Sequence, residues 1–132
     1  NVHMIGLLKS NEVLQVLADS DLLLNPLAVE ENFGMGVAEA MAAGVPVLVS
    51  QGVPVGLWAE KAGAGRVLPC NVQAFTQAAN ELLADPDRMS MMGQRGRALV
   101  REKFDFDVTS RQMVSHYEAI VQTGHPLSEL MI

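Results

Sequence analysis

The chain has 132 residues, 49% hydrophobic and 18% charged, which suits one globular domain with a sizeable core. No apolar run reaches the ~18 residues of a membrane helix, and no basic segment leads into an apolar stretch as in a signal peptide. Nine basic against fifteen acidic residues give a net charge of −6, which argues against nucleic acid as a partner; the single cysteine, Cys70, excludes an internal disulfide and fits a reducing compartment.

Residues 2–8 (VHMIGLL) are short, apolar and interrupted by Gly6, and read as a buried strand running into a turn. Ser10 is a candidate cap for a helix with Val13, Leu14 and Leu17 as its apolar stripe and Glu12 in its first turn. Asp19-Ser20-Asp21 breaks it, and residues 22–26 (LLLNP) make a second buried strand that Asn25-Pro26 stops. A loop comes next, then a helix at about 35–43, Gly44 as its C-terminal cap, and a strand at 45–50. Residues 51–64 read as loop with a short helix around Leu57–Ala62, and residues 65–69 (GRVLP) as a fourth strand. Asn71 caps a helix to about Leu83, Asp85-Pro86 opens another, and the last runs from about Asp107 to Gln122. Apolar strands alternating with helices imply an α/β fold, a parallel sheet covered on both faces. Residues 1–124 are expected to form one domain and 125–132 a loose C-terminal tail.

Charge is distributed unevenly. Between Ser10 and Glu60 there is no Lys or Arg, whereas the stretch holds Glu12, Asp19, Asp21, Glu30, Glu31, Glu39 and Glu60. Within it, "EENFGMGVAEAMAAGVPVLVS", residues 30–50, puts Glu31 before and Glu39 inside a helix that starts at the carboxyl end of a strand. In open parallel sheets that end is where ligands bind. A helix N-terminus offers unbonded N–H groups and about half a positive charge, which suits phosphate. Gly34 and Gly36 would let a ligand approach the backbone, or would only shape a tight turn. A G-x-G-x-x-G fingerprint fails because Glu39 stands at its third glycine, and a G-x-x-x-x-G-K-[ST] loop is absent. Two carboxylates repel a bare phosphate but accept hydroxyl pairs well. A ligand with phosphate at its centre and diols on both sides satisfies every group, and a nucleotide-sugar has that layout. Glu39 acting only as a helix-favouring acid is the alternative. A metal held by the pair would want more carboxylates converging.

This segment resembles the E-x7-E signature of group 1 (retaining) glycosyltransferases of the GT-B fold, with seven residues between Glu31 and Glu39. "ADSDLLLNP" resembles the family's ADxFVxPS segment, and the stretch from "AGAGRVLP" to "REKFDF", with its D-P-x-x-x-x-x-M-G run, resembles the family's segment C-terminal to the site; the likeness covers about residues 2–120. It implies a Rossmann-like fold, the later part of the C-terminal, nucleotide-sugar-binding domain. It implies a hexosyltransferase acting with retention, needing no cofactor or metal. By resemblance Glu31 binds donor-sugar hydroxyls and orients the sugar, as the nearest thing to a catalytic residue. Glu39 then binds the ribose, while Asn32, Phe33, Gly34 and Met35 present backbone N–H groups to sugar and phosphate. Phe33 has a plain core role as its alternative. Gly6 and Leu7 line the base pocket or form a mere turn. The Arg and Lys that hold the donor diphosphate in such enzymes, and the acceptor-binding N-terminal domain, would lie upstream of Asn1. A fragment of that kind is expected to be inactive alone. "QGVPVGLWAEK" stands where many relatives have a Gly-Gly-x-x-Glu loop, which puts that loop's role in doubt. The resemblance also implies a cytoplasmic location, with the inner membrane face as an attachment point for the parent. A sugar-nucleotide epimerase or phosphorylase half of the same architecture, and a non-catalytic half-domain, are the rival readings.

Overall fold

The computed structural model describes residues 1–123. The elements run α1 (Ser10–Ala18), β1 (Leu23–Asn25), α2 (Met35–Ala43), β2 (Val47–Ser50), α3 (Pro54–Ala62), β3 (Gly65–Leu68), α4 (Val72–Leu83), α5 (Pro86–Lys103) and α6 (Phe106–Thr123). Residues 1–100 form one compact unit, and a second begins at Arg101. The expected tail, 125–132, lies outside the described residues. Among the described residues no helix is long and apolar enough to cross a membrane.

The sheet is parallel with order β1-β2-β3, Leu23 opposite Val47 and Val47 opposite Gly65. β2 is central and wholly buried, as its sequence VLVS suggests for a strand covered on both faces. Alternation sorts its side chains. A methyl group on Gly56 of α3 would meet Val49 and Val67, and one on Gly65 would meet Val47 and Ala59, so α3 lies against the Val47–Val49 face. Leu48 and Leu68 face the other way, into a cluster with Phe75, Ala78 and Leu82 of α4 and Met92 of α5. Helices on both faces of a parallel sheet are the Rossmann-like arrangement expected from the sequence.

The helix ends follow their local chemistry. Asn71 accepts from the Ala74 N–H at 2.8 Å to start α4, and Asp85 accepts from the Arg88 N–H at 3.0 Å to start α5. α3 begins at Pro54, a first-turn position where the missing N–H costs nothing; the helix is one turn longer than its sequence suggested. α1 is capped at Lys9 rather than Ser10, with the Glu12 carboxylate accepting the Lys9 N–H at 2.6 Å. α2 ends at Gly44, whose φ of 83° gives it the left-handed cap.

The N-terminal strand is a correction. Residues 1–9 have no regular structure, and Val2, Met4, Ile5 and Leu7 are exposed. A strand exists only when a neighbour takes its row of N–H and C=O groups, and the three described strands pair only with one another.

α5 holds the far end of α2. Gly96 rests on Met41, the Arg97 Nη2 donates to the Ala43 carbonyl at 2.6 Å, and Gly93 sits so close that a Cβ there would collide with the Gly44 carbonyl oxygen. A cation at a helix C-terminus is favourable. Gly93→Ala should therefore lower stability by about 1–3 kcal/mol through overpacking against backbone that cannot yield. Gly36→Ala, in α2 with nothing within 4 Å of the new methyl, should raise it by about 0.5–1 kcal/mol. Urea midpoints for the two variants should move in opposite directions.

Candidate functional site

The loop between β1 and α2 is tied down at three points. Ser50, fully buried at the end of β2, donates to the Leu27 carbonyl at 2.6 Å. The Glu31 N–H donates to the Gly52 carbonyl at 3.1 Å, and the Val55 N–H to the Phe33 carbonyl at 3.0 Å. Residues 31–34 thus run against the β2–α3 connection, at the carboxyl ends of the strands.

Gly34 closes this arrangement. It is buried, with φ 99°, and caps α2 without a side chain. A methyl group there would fall 2.7 Å from Val53 Cγ1 and 2.8 Å from Val55 Cγ1. The Val37 and Ala38 N–H groups both donate to the Gly34 carbonyl. Those of Met35 and Gly36 come too early to find a carbonyl within the helix, and both residues are exposed. The mouth of α2 is therefore open, with two N–H groups and the positive dipole end.

The two glutamates stand at different clefts. Glu31 lines one of about 340 Å³ together with Glu30, Gln51, Gly52, Val53, Pro54, Leu57 and Val67. Its Oε2 atom is buried and has no hydrogen-bond partner among the described residues. Glu39 is exposed and lines a second cleft of about 240 Å³, with Leu8, Ser10, Val13 and Leu14. Asn32 and Met35 are exposed at the mouth between them, and Phe33 is half-buried. The structure so brings residues 31–35 together and puts Glu31 and Glu39 in different clefts. Gly6 and Leu7 sit in the irregular N-terminal segment, with Leu7 fully exposed and nothing within 4 Å of a methyl built on Gly6; Leu8 is the residue of that segment at the Glu39 cleft.

Several site residues escaped the sequence reading. Gln51 and Gly52 become neighbours of Glu31 only through the Glu31–Gly52 bond, and Glu30, next to Glu31 in the chain, is turned onto the same cleft. Ser50 did leave a signal, as the polar end of an otherwise apolar strand. A further groove of about 460 Å³ lies on the α4 side, lined by residues including Leu24, Cys70, Val72 and Phe75. It has no carboxylate or cation and does not share the α2 mouth.

The chain matches the family "Glycosyl transferases group 1" over residues 1–99. Among curated proteins it is 36% identical over 117 residues to the N-acetyl-alpha-D-glucosaminyl L-malate synthase of Bacillus anthracis, covering 85% of this chain and 28% of that protein. Among solved structures it superposes on sucrose-phosphate synthase from Thermosynechococcus elongatus with a TM-score of 0.81 at 24% identity, over 89% of this chain and 30% of that one. It also superposes on Anabaena HepE, solved in complex with UDP, with a TM-score of 0.74 at 22% identity, over 80% and 29%. The chain thus spans less than a third of the length of each.

Gly34→Ala should be costly twice over: about 1–2 kcal/mol for an L-residue in the left-handed region, and more for its contact with Val53 and Val55. The expected result is a lower urea midpoint together with faster amide exchange at Glu31 and Val55. Exchange unchanged at both amides would mean that Gly34 does not hold the two loops together.

Proposed function

Because the chain belongs to the group 1 glycosyl transferases, we propose that the mouth of α2 and its two flanking clefts bind a nucleotide-diphospho-sugar, and that the longer protein transfers the sugar to an acceptor with retention at the anomeric carbon. The observation that carries this reading is the buried, unpartnered Oε2 of Glu31 beside an open helix N-terminus. A carboxylate oxygen removed from water without a partner is costly, and a turn of the Glu31 side chain toward the cleft would give it a sugar hydroxyl as donor. Family membership and the UDP held by the structurally similar HepE support a nucleoside diphosphate as the other half.

The electrostatics select among ligands. At an assumed ~6 Å and an effective dielectric of ~20, each carboxylate repels a unit negative charge by about 3 kcal/mol. Phosphate alone is a poor ligand for a mouth flanked by two acids. A diphosphate that arrives with a diol at each end turns both repulsions into hydrogen bonds. In this arrangement Glu39 takes the ribose, Glu31 takes the sugar, and the N–H groups of Met35 and Gly36 face the diphosphate.

The chemistry rests on that placement. As the bond from the anomeric carbon to the phosphate oxygen breaks, negative charge grows on the leaving diphosphate. Fixed N–H dipoles aimed at that charge stabilise it more in the transition state than in the bound donor. Glu31 contributes by holding the sugar in the orientation from which transfer occurs. The acceptor and its binding domain belong to the rest of the protein, of which this chain is the donor-binding part.

The two glutamates should separate in calorimetric titrations of the longer protein. Glu39→Ala should weaken nucleoside diphosphate and nucleotide-sugar alike, by roughly 1.5–3 kcal/mol for hydrogen bonds to a charged acceptor. Glu31→Ala should leave the nucleoside diphosphate nearly unaffected and lower turnover of the full donor. Equal losses of bare nucleotide in both variants would end this division of labour.

A further inference from the structure

The Glu31 cleft carries a second carboxylate. Glu30 lines it beside Glu31, and the same glycine positions both. The Gly52 carbonyl accepts the Glu31 N–H, and the face of Gly52 where a side chain would stand lies 3.7 Å from both Cα and Cγ of Glu30. With φ 94°, residue 52 is a backbone position that favours glycine, so the close approach and the turn are one feature.

Among the described residues, none neutralises these acids. No Lys or Arg lines the cleft. The ion pairs among the described residues are Arg66–Glu81 and Lys103–Glu102, so neither Glu30 nor Glu31 is in one. Lys61 is one turn beyond Leu57 on α3, but it lines a separate, shallow cleft of about 130 Å³ with Leu57 and Trp58. The remaining lining of the Glu31 cleft is the Gln51 amide and the apolar side chains of Val53, Pro54, Leu57 and Val67.

Resting on the donor reading above, we propose that this cleft selects an uncharged sugar and rejects an acidic one, with Glu30 as the discriminating residue. A neutral pyranose offers what the lining needs: hydroxyl donors for two carboxylates and a C–H face for Val53, Pro54 and Leu57. A uronate adds a third carboxylate beside these two, with no Lys or Arg in the described lining to offset it. Like charges brought together in a partly desolvated cleft are strongly disfavoured, and such repulsion is how a site excludes a near-isosteric competitor.

The test is residue-resolved. The full chain, labelled with nitrogen-15, is titrated to millimolar ligand at low salt with UDP, UDP-glucose and UDP-glucuronate, and in parallel with GDP, GDP-mannose and GDP-mannuronate. Amide shifts at Glu31 and Gly52 report the sugar cleft, and those at Met35 and Gly36 report the nucleotide. At least one neutral nucleotide-sugar should shift Glu31 and Gly52 beyond the effect of its bare nucleotide. Its uronate counterpart should bind at least tenfold more weakly, with the gap narrowing as salt is added. Glu30→Lys should reverse the order. Equal affinity for neutral and acidic sugars overturns the selectivity and leaves donor binding standing. So does a nucleotide response at Met35 and Gly36 with no sugar response at Gly52. No shift with any nucleotide or nucleotide-sugar overturns the donor reading and this inference with it.

Discussion

The site depends on one join, the seam between the loop that enters α2 and the loop that leaves β2. Two backbone hydrogen bonds make it, from Glu31 to Gly52 and from Val55 to Phe33. A left-handed glycine packed on two valines keeps it closed. The seam does three things together. It gives the backbone polar groups of an irregular loop their partners. It turns the chain sharply enough for α2 to start with its first N–H groups facing outward. It draws Glu30 and Glu31 onto the wall of a cleft whose floor comes from α3 and β3. The buried Ser50 hydroxyl anchors the same loop nearer β1, so loop and sheet are placed together.

The other end of α2 is fixed as firmly. Gly93 and Gly96 let α5 approach α2 more closely than any side chain would allow, and Arg97 takes up a carbonyl at the helix terminus. A helix held at both ends has little freedom to slide, which bears on the proposed donor site. This matters because pre-set dipoles stabilise developing charge better than dipoles that must first reorganise. The stretch with no cation, residues 10–60, thus receives its Arg97 contact from a distant part of the chain.

Much of this was legible in the sequence, and most of the exceptions share a cause. The α2 boundaries, Gly44 as its cap, the parallel sheet and the Glu31–Glu39 spacing are local signals: helical periodicity, a glycine after the last turn, apolar strands between helices. Residues 2–8 carry an equally good local pattern and yet form no strand, because a strand is a property of a pair. α3 begins at Pro54, a local signal that the reading of 51–64 as loop passed over, and its Val55 N–H bonds to Phe33, a residue 22 positions away. Gln51 and Gly52 could not be placed at the site for the same reason. Their meaning arises only when the loops meet, whereas Glu31 and Glu39 announce themselves by spacing alone.

The proposed donor site makes a geometric demand of its ligand, because Glu31 and Glu39 line different clefts. The most direct test is a crystal structure of the chain, or of a longer form containing it, with an intact nucleotide-sugar bound. The diphosphate should lie against the N–H groups of Met35 and Gly36, with ribose hydroxyls on Glu39 and a sugar hydroxyl on the Oε2 of Glu31 that is unpartnered in the free protein. A nucleotide-sugar found instead in the groove beside α4, or bound with both carboxylates untouched, would contradict the account.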